Sequence, residues 1–162
     1  MNNKMNDYNL KQKWILWYHS IKNDKWDIGS YDKLLIIHNL FDYQIINEYF
    51  KKNHYYNGMF FIMREGINPI WEDPHNRLGG YISFKIESKD IINQWDILIK
   101  NCILENLFVD ENHIINGISI SPKKEFNIIK IWLKEDVTDY KNKMKNLINI
   151  NNILYRKYLI DK

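Results

Sequence analysis

The 162-residue chain has a single cysteine, Cys102. A lone thiol excludes an intramolecular disulfide and a cysteine zinc site, and such usage suits a reducing compartment, the cytosol or the nucleus. Long apolar runs are missing too: the polar, mixed-charge segment from Met1 to Lys13 lacks the continuous apolar stretch that a signal peptide or membrane helix needs. Blocks of like charge are absent, and the formal net charge of +3 is thinly spread, so a broad phosphate-tracking groove of the kind duplex binders use is not expected. His19, His38, His54, His75 and His113 show no metal-ligand spacing with one another or with Cys102, so no metal site and no cofactor are expected, and the histidines read as bystanders. No internal repeat, low-complexity tract or linker divides the chain.

What is present is apolar and aromatic side chain, 45% and 15% of the residues. That is enough for one packed core, which at this size removes roughly 70% of the unfolded chain's surface from water. Residues 1–13 read as a flexible N-terminal segment and 14–162 as one domain. Trp14 to Tyr18 and Leu34 to Phe41 read as strands. Between them Ser20 to Ser30 is a polar loop that carries the large indole of Trp26. Ile45, Ile46, Tyr49 and Phe50 recur at helical spacing behind Asp42 as N-cap, and Gly58 to Met63 returns to a strand. Glu65 to Gly80 is dense in turn residues and too long for a minimal connection, and long ordered loops usually carry function. Tyr81 to Ile86 is strand-like. Ser88 is placed as the cap of a helix whose apolar face holds Ile91, Ile92, Trp95, Leu98, Ile99 and Cys102. Two strands near Ile114 to Ile120 and Ile128 to Leu133 flank a Lys123-Lys124 turn. A third helix is expected from Asp136 to Ile150, and a last strand from Ile153 to Leu159. The class is α+β: an antiparallel sheet with helices on one face, leaving the other face and its rim of loops free for a ligand.

Trp26 and Trp71 both lie in polar loops, where an indole is hard to bury, and two exposed indoles facing each other form a slot for a flat ring. A purine fits that slot. A guanine methylated at N7 carries positive charge, so each indole face adds cation–π attraction of about 0.5–2 kcal/mol to stacking of about 1–3 kcal/mol. Glu72 follows Trp71, and an ionised carboxylate accepts from the N1 and N2 donors of guanine, a pair that adenine lacks. Lys123 and Lys124 offer mobile positive charge for a phosphate chain. Each residue alone has a plainer reading: loop tryptophans often anchor to a core, and a lone Glu or a Lys-Lys turn is usually solvated. Trp14, Trp17, Trp95 and Trp132 fit apolar strand or helix patterns and read as core. A hydrolase built on Glu72, Asp73 and His75 is disfavoured, because no glycine-and-glutamate-rich helix for metal-assisted pyrophosphate cleavage is present.

Taken together, Trp14-x-x-Trp17-Tyr18, Lys25-Trp26, Phe41-Asp42, Asn53-His54, Gly66-Ile67-x-Pro69-x-Trp71-Glu72-Asp73, Asn76, Gly79-Gly80 and Ile129-x-Ile131-Trp132 resemble the eukaryotic translation initiation factor 4E family. The resemblance implies a curved antiparallel sheet backed by three helices on its convex face. It also implies an mRNA 7-methylguanosine cap stacked between Trp26 and Trp71 and read by Glu72, with no catalysis. Lys123 falls where the family carries a phosphate-binding Arg, whereas Glu125, Ile128 and Tyr81 replace basic residues. Lys124, Lys130 and Arg156 are the cations left to compensate. The chain stops soon after its last expected strand, which implies a short C-terminal loop over the cap. On the convex side Tyr8, Leu10, Ile45 and Tyr49 correspond to the surface that receives scaffold and repressor peptides bearing a Tyr-x-x-x-x-Leu-apolar helix. The expected role is a cytoplasmic or nuclear monomer that joins capped mRNA to a scaffold subunit in translation initiation. A cap-binding repressor with an altered partner surface is the alternative.

Overall fold

The computed structural model describes residues 8–159. Seven strands form one curved antiparallel sheet: β1 (Asn9–Ser20), β2 (Asp32–Asn39), β3 (Gly58–Arg64), β4 (Gly80–Glu87), β5 (Ile115–Pro122), β6 (Phe126–Leu133) and β7 (Leu154–Lys157). Their spatial order is β2-β1-β3-β5-β6-β4-β7. The helices are α1 (Leu40–Tyr49), α2 (His54–Asn57), α3 (Ile91–Ile103) and α4 (Tyr140–Lys143).

Period-two alternation assigns the strand side chains to two faces. Trp14 and Leu16 of β1, Phe60 and Ile62 of β3, Ile82 and Phe84 of β4, and Ile129 and Ile131 of β6 join the large cluster under the helices. Their neighbours Ile15, Trp17, Phe61, Met63 and Trp132 form a second buried cluster on the opposite face. The four tryptophans read as core are all buried. β4 enters between β6 and β7 through Gly79 and Gly80. A Cβ on Gly79 would lie 1.9 Å from the Leu133 carbonyl oxygen, and one on Gly80 would lie 2.2 Å from that of Arg156. Only glycine allows so close a backbone approach.

Several boundaries differ from expectation. β1 begins at Asn9, so residues 9–13, read above as part of the flexible segment, continue the strand; residues 1–7 lie outside the described residues. Leu40 and Phe41 belong to α1 rather than to β2. The N-cap is Asn39, whose Oδ1 accepts the Asp42 backbone N–H at 3.0 Å, while Asp42 reaches back to accept from His38 N–H at 2.8 Å. This reciprocal arrangement places Asp42 inside the first turn. Ser88 does not cap α3, since a 3-10 turn over Ser88–Asp90 comes first, and Ile92 points outward while Ile103 takes its place in the core.

The third expected helix is reduced to the single turn α4. Lys145 N–H donates to the Leu107 carbonyl and Val109 N–H to that of Lys143, and Met144 bridges Phe108, so this backbone pairs across to residues 107–109 instead of along a helix. Asparagine and β-branched isoleucine are weak helix formers, and the cross-chain pairing outcompetes them. Tyr140, Met144, Leu147 and Ile148 still pack on the main cluster, so the apolar pattern held while the element type did not.

One buried charge joins these parts. The Arg64 guanidinium lies 4.5 Å over the Trp14 ring and pairs with both carboxylate oxygens of Glu105 just past α3. It also donates to Gln12 Oε1 and to the Ile115 and Asn112 carbonyls. Removing one partner of such a pair strands a buried charge. Arg64→Ala and Glu105→Ala are each expected to lower stability in urea unfolding by about 3–5 kcal/mol. The double variant should lose less than the sum; strict additivity would show that the pair is not coupled.

Candidate functional site

The helix-free face supplies the floor. Ile15, Trp17, Phe61, Met63 and Trp132 are joined there by Ile67 from the long 65–79 loop, and Tyr31, Met59 and Tyr158 border them. Trp132 Nε1–H donates to Ser119 Oγ at 3.0 Å, which satisfies the indole within the floor.

One wall rises from the loop after β1. Trp26 is 53% exposed, yet one face of its indole is covered: the His19 ring lies parallel to it, 7° apart in plane and 4.3 Å between centroids. His19 is fully buried, and its Nε2–H donates to the Lys25 carbonyl at 2.7 Å, which ties the backbone just ahead of Trp26 to the end of β1. Tyr31 completes the wall, 4.6 Å from His19 and 5.4 Å from Phe61. His19 is therefore no bystander. Its parity with Ile15 and Trp17 along β1 was the signal that it faces the floor.

A second loop bordering the floor, through Ile67, carries Trp71 and Glu72, both exposed, Trp71 at 44%. Buried polar side chains hold it in shape. Asp73 accepts from the backbone N–H groups of Asn68 (2.9 Å) and His75 (2.8 Å) and from the His75 ring. Asn76 donates to the Asn68 and Ile70 carbonyls, and Asn116 of β5 donates to the His75 carbonyl and to Asn76 Oδ1. Burial alone raises the Asp73 pKa, but the hydrogen bonds from Asn68 and His75 outweigh it and hold the carboxyl below its ordinary value. Both Asp73 oxygens are thus occupied in bracing the loop.

The walls bear on the same ground. Burial, and after it the negative charge of Glu72, pushes the Tyr31 phenol up to about 12, so Glu72 lies within electrostatic reach of the residue that packs on His19 beneath Trp26. The two indoles make no ring contact with each other.

Lys123 and Lys124 occupy an exposed turn between β5 and β6, at the same end of the sheet as the Trp26 loop. Lys130 is half-buried on the helix-free face, its Nζ 4.4 Å over the Tyr81 ring, and burial followed by repulsion from Lys123 lowers its pKa. Among the described residues no group of three or more His, Cys, Asp or Glu could hold a metal ion, and no helix is long and apolar enough to cross a membrane.

On the helix-bearing side, Phe41, Ile45 and Tyr49 are 64%, 45% and 75% exposed and recur every four residues along α1, while Tyr43 and Ile46 face the core. Tyr8 lies 5.1 Å from Phe41. Leu10 packs against the main core and is partly accessible. Phe41 was not singled out for this surface, although its i, i+4 spacing from Ile45 marks it.

Comparison with known proteins bears on this geometry. The family model described as "Eukaryotic initiation factor 4E" matches residues 9–159. A eukaryotic translation initiation factor 4E homolog of Acanthamoeba polyphaga mimivirus is 39% identical over 64 residues, 38% of this chain and 24% of that protein. The Saccharomyces cerevisiae eukaryotic translation initiation factor 4E is 28% identical over 142 residues, 78% of this chain and 62% of that protein. The chain thus spans less than two thirds of the length of these relatives. The solved structure of a schistosome eIF4E complexed with m7GpppG and 4E-BP superposes with a TM-score of 0.72 at 19% identity, covering 83% of this chain and 76% of that one, which shows a shared fold. The sheet order, the paired glycines and the braced tryptophan loop lie within the matched span: the chain belongs to the eukaryotic initiation factor 4E family.

Proposed function

We propose that the chain binds the 7-methylguanosine cap of mRNA and presents it to the translation machinery. The observation that carries this reading is the Trp26 indole, stacked on His19 through one face and open to solvent. The methylated base stacks on the free face of Trp26 and is closed over by Trp71. Glu72 accepts from N1–H and N2–H, and a backbone N–H of the Trp71-Glu72 segment serves O6. Lys123 and Lys124, with Lys130 behind them, neutralise the phosphates. No bond is made or broken, so the chemistry is recognition alone, and the compartment is the cytoplasm or the nucleus.

The α1 stripe of Phe41, Ile45 and Tyr49, with Tyr8 at its end, suits the apolar face of a docked helix. A scaffold peptide of the Tyr-x-x-x-x-Leu-apolar type is the occupant that makes the protein an initiation factor. Solved relatives include a C. elegans eIF4E-3 with the 4E-binding protein Mextli, at 17% identity and a TM-score of 0.72 over 83% of this chain and 80% of that one. The second reading, a cap-binding repressor, is motivated by the altered residues of this surface, Tyr8, Leu10 and Tyr49. Pull-down with that peptide separates the two: retention lost in Tyr49→Ala supports the bridging role, and no retention supports the repressor.

Titration of tryptophan fluorescence with 7-methyl-GTP and with GTP tests the slot. The methylated nucleotide should bind more tightly by about 0.5–2 kcal/mol, the cation–π share. Trp71→Ala should cost about 1–3 kcal/mol of affinity, and Glu72→Gln should erode the preference for guanine by a similar amount. His19→Ala should weaken binding while His19→Phe retains most of it, because a flat ring under Trp26 is what the slot needs. Equal responses to the two nucleotides would sink the reading.

The brace has a pH signature. A carboxyl with a depressed folded-state pKa adds stability that is present above its unfolded value of about 3.9 and is lost as pH falls through the folded value. Asp73→Asn should therefore destabilise the protein at neutral pH, and the gap to the parent should close below about pH 4. A gap that is constant with pH would mean that the Asp73 charge plays no part in the brace.

A further inference from the structure

The β6-β4-β7 third of the helix-free face carries cations interleaved with aromatic rings, and of these only Lys130 was given to the cap phosphates above. Strand register places Tyr81 beside Trp132 and Arg156, Ser83 beside Lys130 and Leu154, Lys85 beside Ile128, and Glu87 beside Phe126. Directly opposed residues of antiparallel strands share a face, so these side chains form a single field. Lys130 Nζ lies 4.4 Å over the Tyr81 ring and Lys85 Nζ 4.3 Å over the Phe126 ring, two cation–aromatic pairs one behind the other. Tyr158 ties the field to the floor, 5.3 Å from Tyr81 and 5.5 Å from Trp132.

β7 pairs with β4 only from Gly80 to Ser83, so the outer edge of β4 beyond Ser83 borders an open cleft of ≈950 Å³. Lys85, Phe126, Ile128 and Leu154 meet there with the amides of Asn151 and Asn152. The lining also holds Glu87, Asp90 and Glu125 against Lys85 and Lys89, and of these acids Glu87 is paired with Lys89 at 3.2 Å.

We propose that this strip, with Lys130, Tyr81, Lys85, Phe126 and the Asn151-Asn152 amides, is a single-stranded RNA track that takes the nucleotides following the cap. The inference rests on the cap reading above and deepens it. From Lys130 to Phe126 the strand extends about 13 Å, room for a few nucleotides. The pattern fits a single strand rather than a duplex: the cations lie in one narrow row, and rings able to stack with any base stand between them. Phe126 is the platform for a base, Lys85 and Lys130 take successive phosphates, and the asparagine amides present donors and acceptors to base edges. The Lys123-Lys124 turn at the end of the strip adds charge for the phosphates that join cap to chain. Burial and then Lys123 disfavour the charge of Lys130, and a neighbouring phosphate would offset both.

Fluorescence titration with 7-methyl-GTP, a short capped single-stranded RNA and the same RNA uncapped tests the track. The capped RNA should bind about tenfold more tightly than 7-methyl-GTP, as one stacked base supplies. Its log affinity should fall more steeply with log salt, by about 0.7 for each phosphate neutralised. Phe126→Ala and Lys85→Ala should bring the capped RNA down to the level of 7-methyl-GTP and leave 7-methyl-GTP itself unchanged. The wild-type salt slope provides a second readout that does not depend on either variant folding. A failed slot would appear as no response to 7-methyl-GTP, and a failed track as a capped RNA that binds no tighter and no more salt-sensitively than the free nucleotide; either result overturns the proposal.

Discussion

The sheet of this protein is buried on both faces at its centre, and the site depends on that constraint. In β1 and β3 every side chain from Trp14 to Trp17 and from Phe60 to Met63 is in contact with one apolar cluster or the other. An ordinary antiparallel sheet under one layer of helices leaves its second face to water. Here the second face has its own aromatic floor, so the loops that cross it have something rigid to stand on. Ile67 anchors one loop and Tyr31 the other, and the exposed indoles of Trp26 and Trp71 are held at the margins of that floor.

Rigidity at the site comes from buried polar groups more than from apolar area. Asp73, Asn76 and Asn116 satisfy the carbonyls and N–H groups of a loop that has no regular ladder of its own. In a low-dielectric setting such a network is strong when complete and costly when one member is lost. His19 does similar work beneath Trp26, with a ring for stacking and one N–H for the Lys25 carbonyl. A binding slot for a flat ring gains most when its walls are ordered in advance, since ordering them on binding would be deducted from the affinity.

The legible part of the fold was the part governed by periodicity. Strands over Trp14–Tyr18, Gly58–Met63 and Tyr81–Ile86, and the apolar face of α3, follow from side-chain alternation and spacing that local sequence contains. The expected helix over 136–150 failed because periodicity is blind to competition: the same apolar residues pack on the core whether the backbone bonds to itself or to residues 107–109. The Asp42 and Ser88 caps failed for a related reason, since each neighbourhood offers several capping residues and only the path of the chain selects among them. Arg64 went unremarked because a lone Arg at the end of a strand looks solvated until Glu105, more than forty residues later, is seen to fold back on it.

By itself the sequence determined the class of fold and the family, because pattern and residue type are local properties that survive without coordinates. Only the tertiary structure decided that His19 lies beneath Trp26, that Asp73 braces its loop, that Leu10 packs on the main core, and that Lys130 and Lys85 lie over the Tyr81 and Phe126 rings. Each of those depends on register between strands distant in sequence, or on which hydrogen-bond partner a buried group meets. No residue encodes such a relation alone.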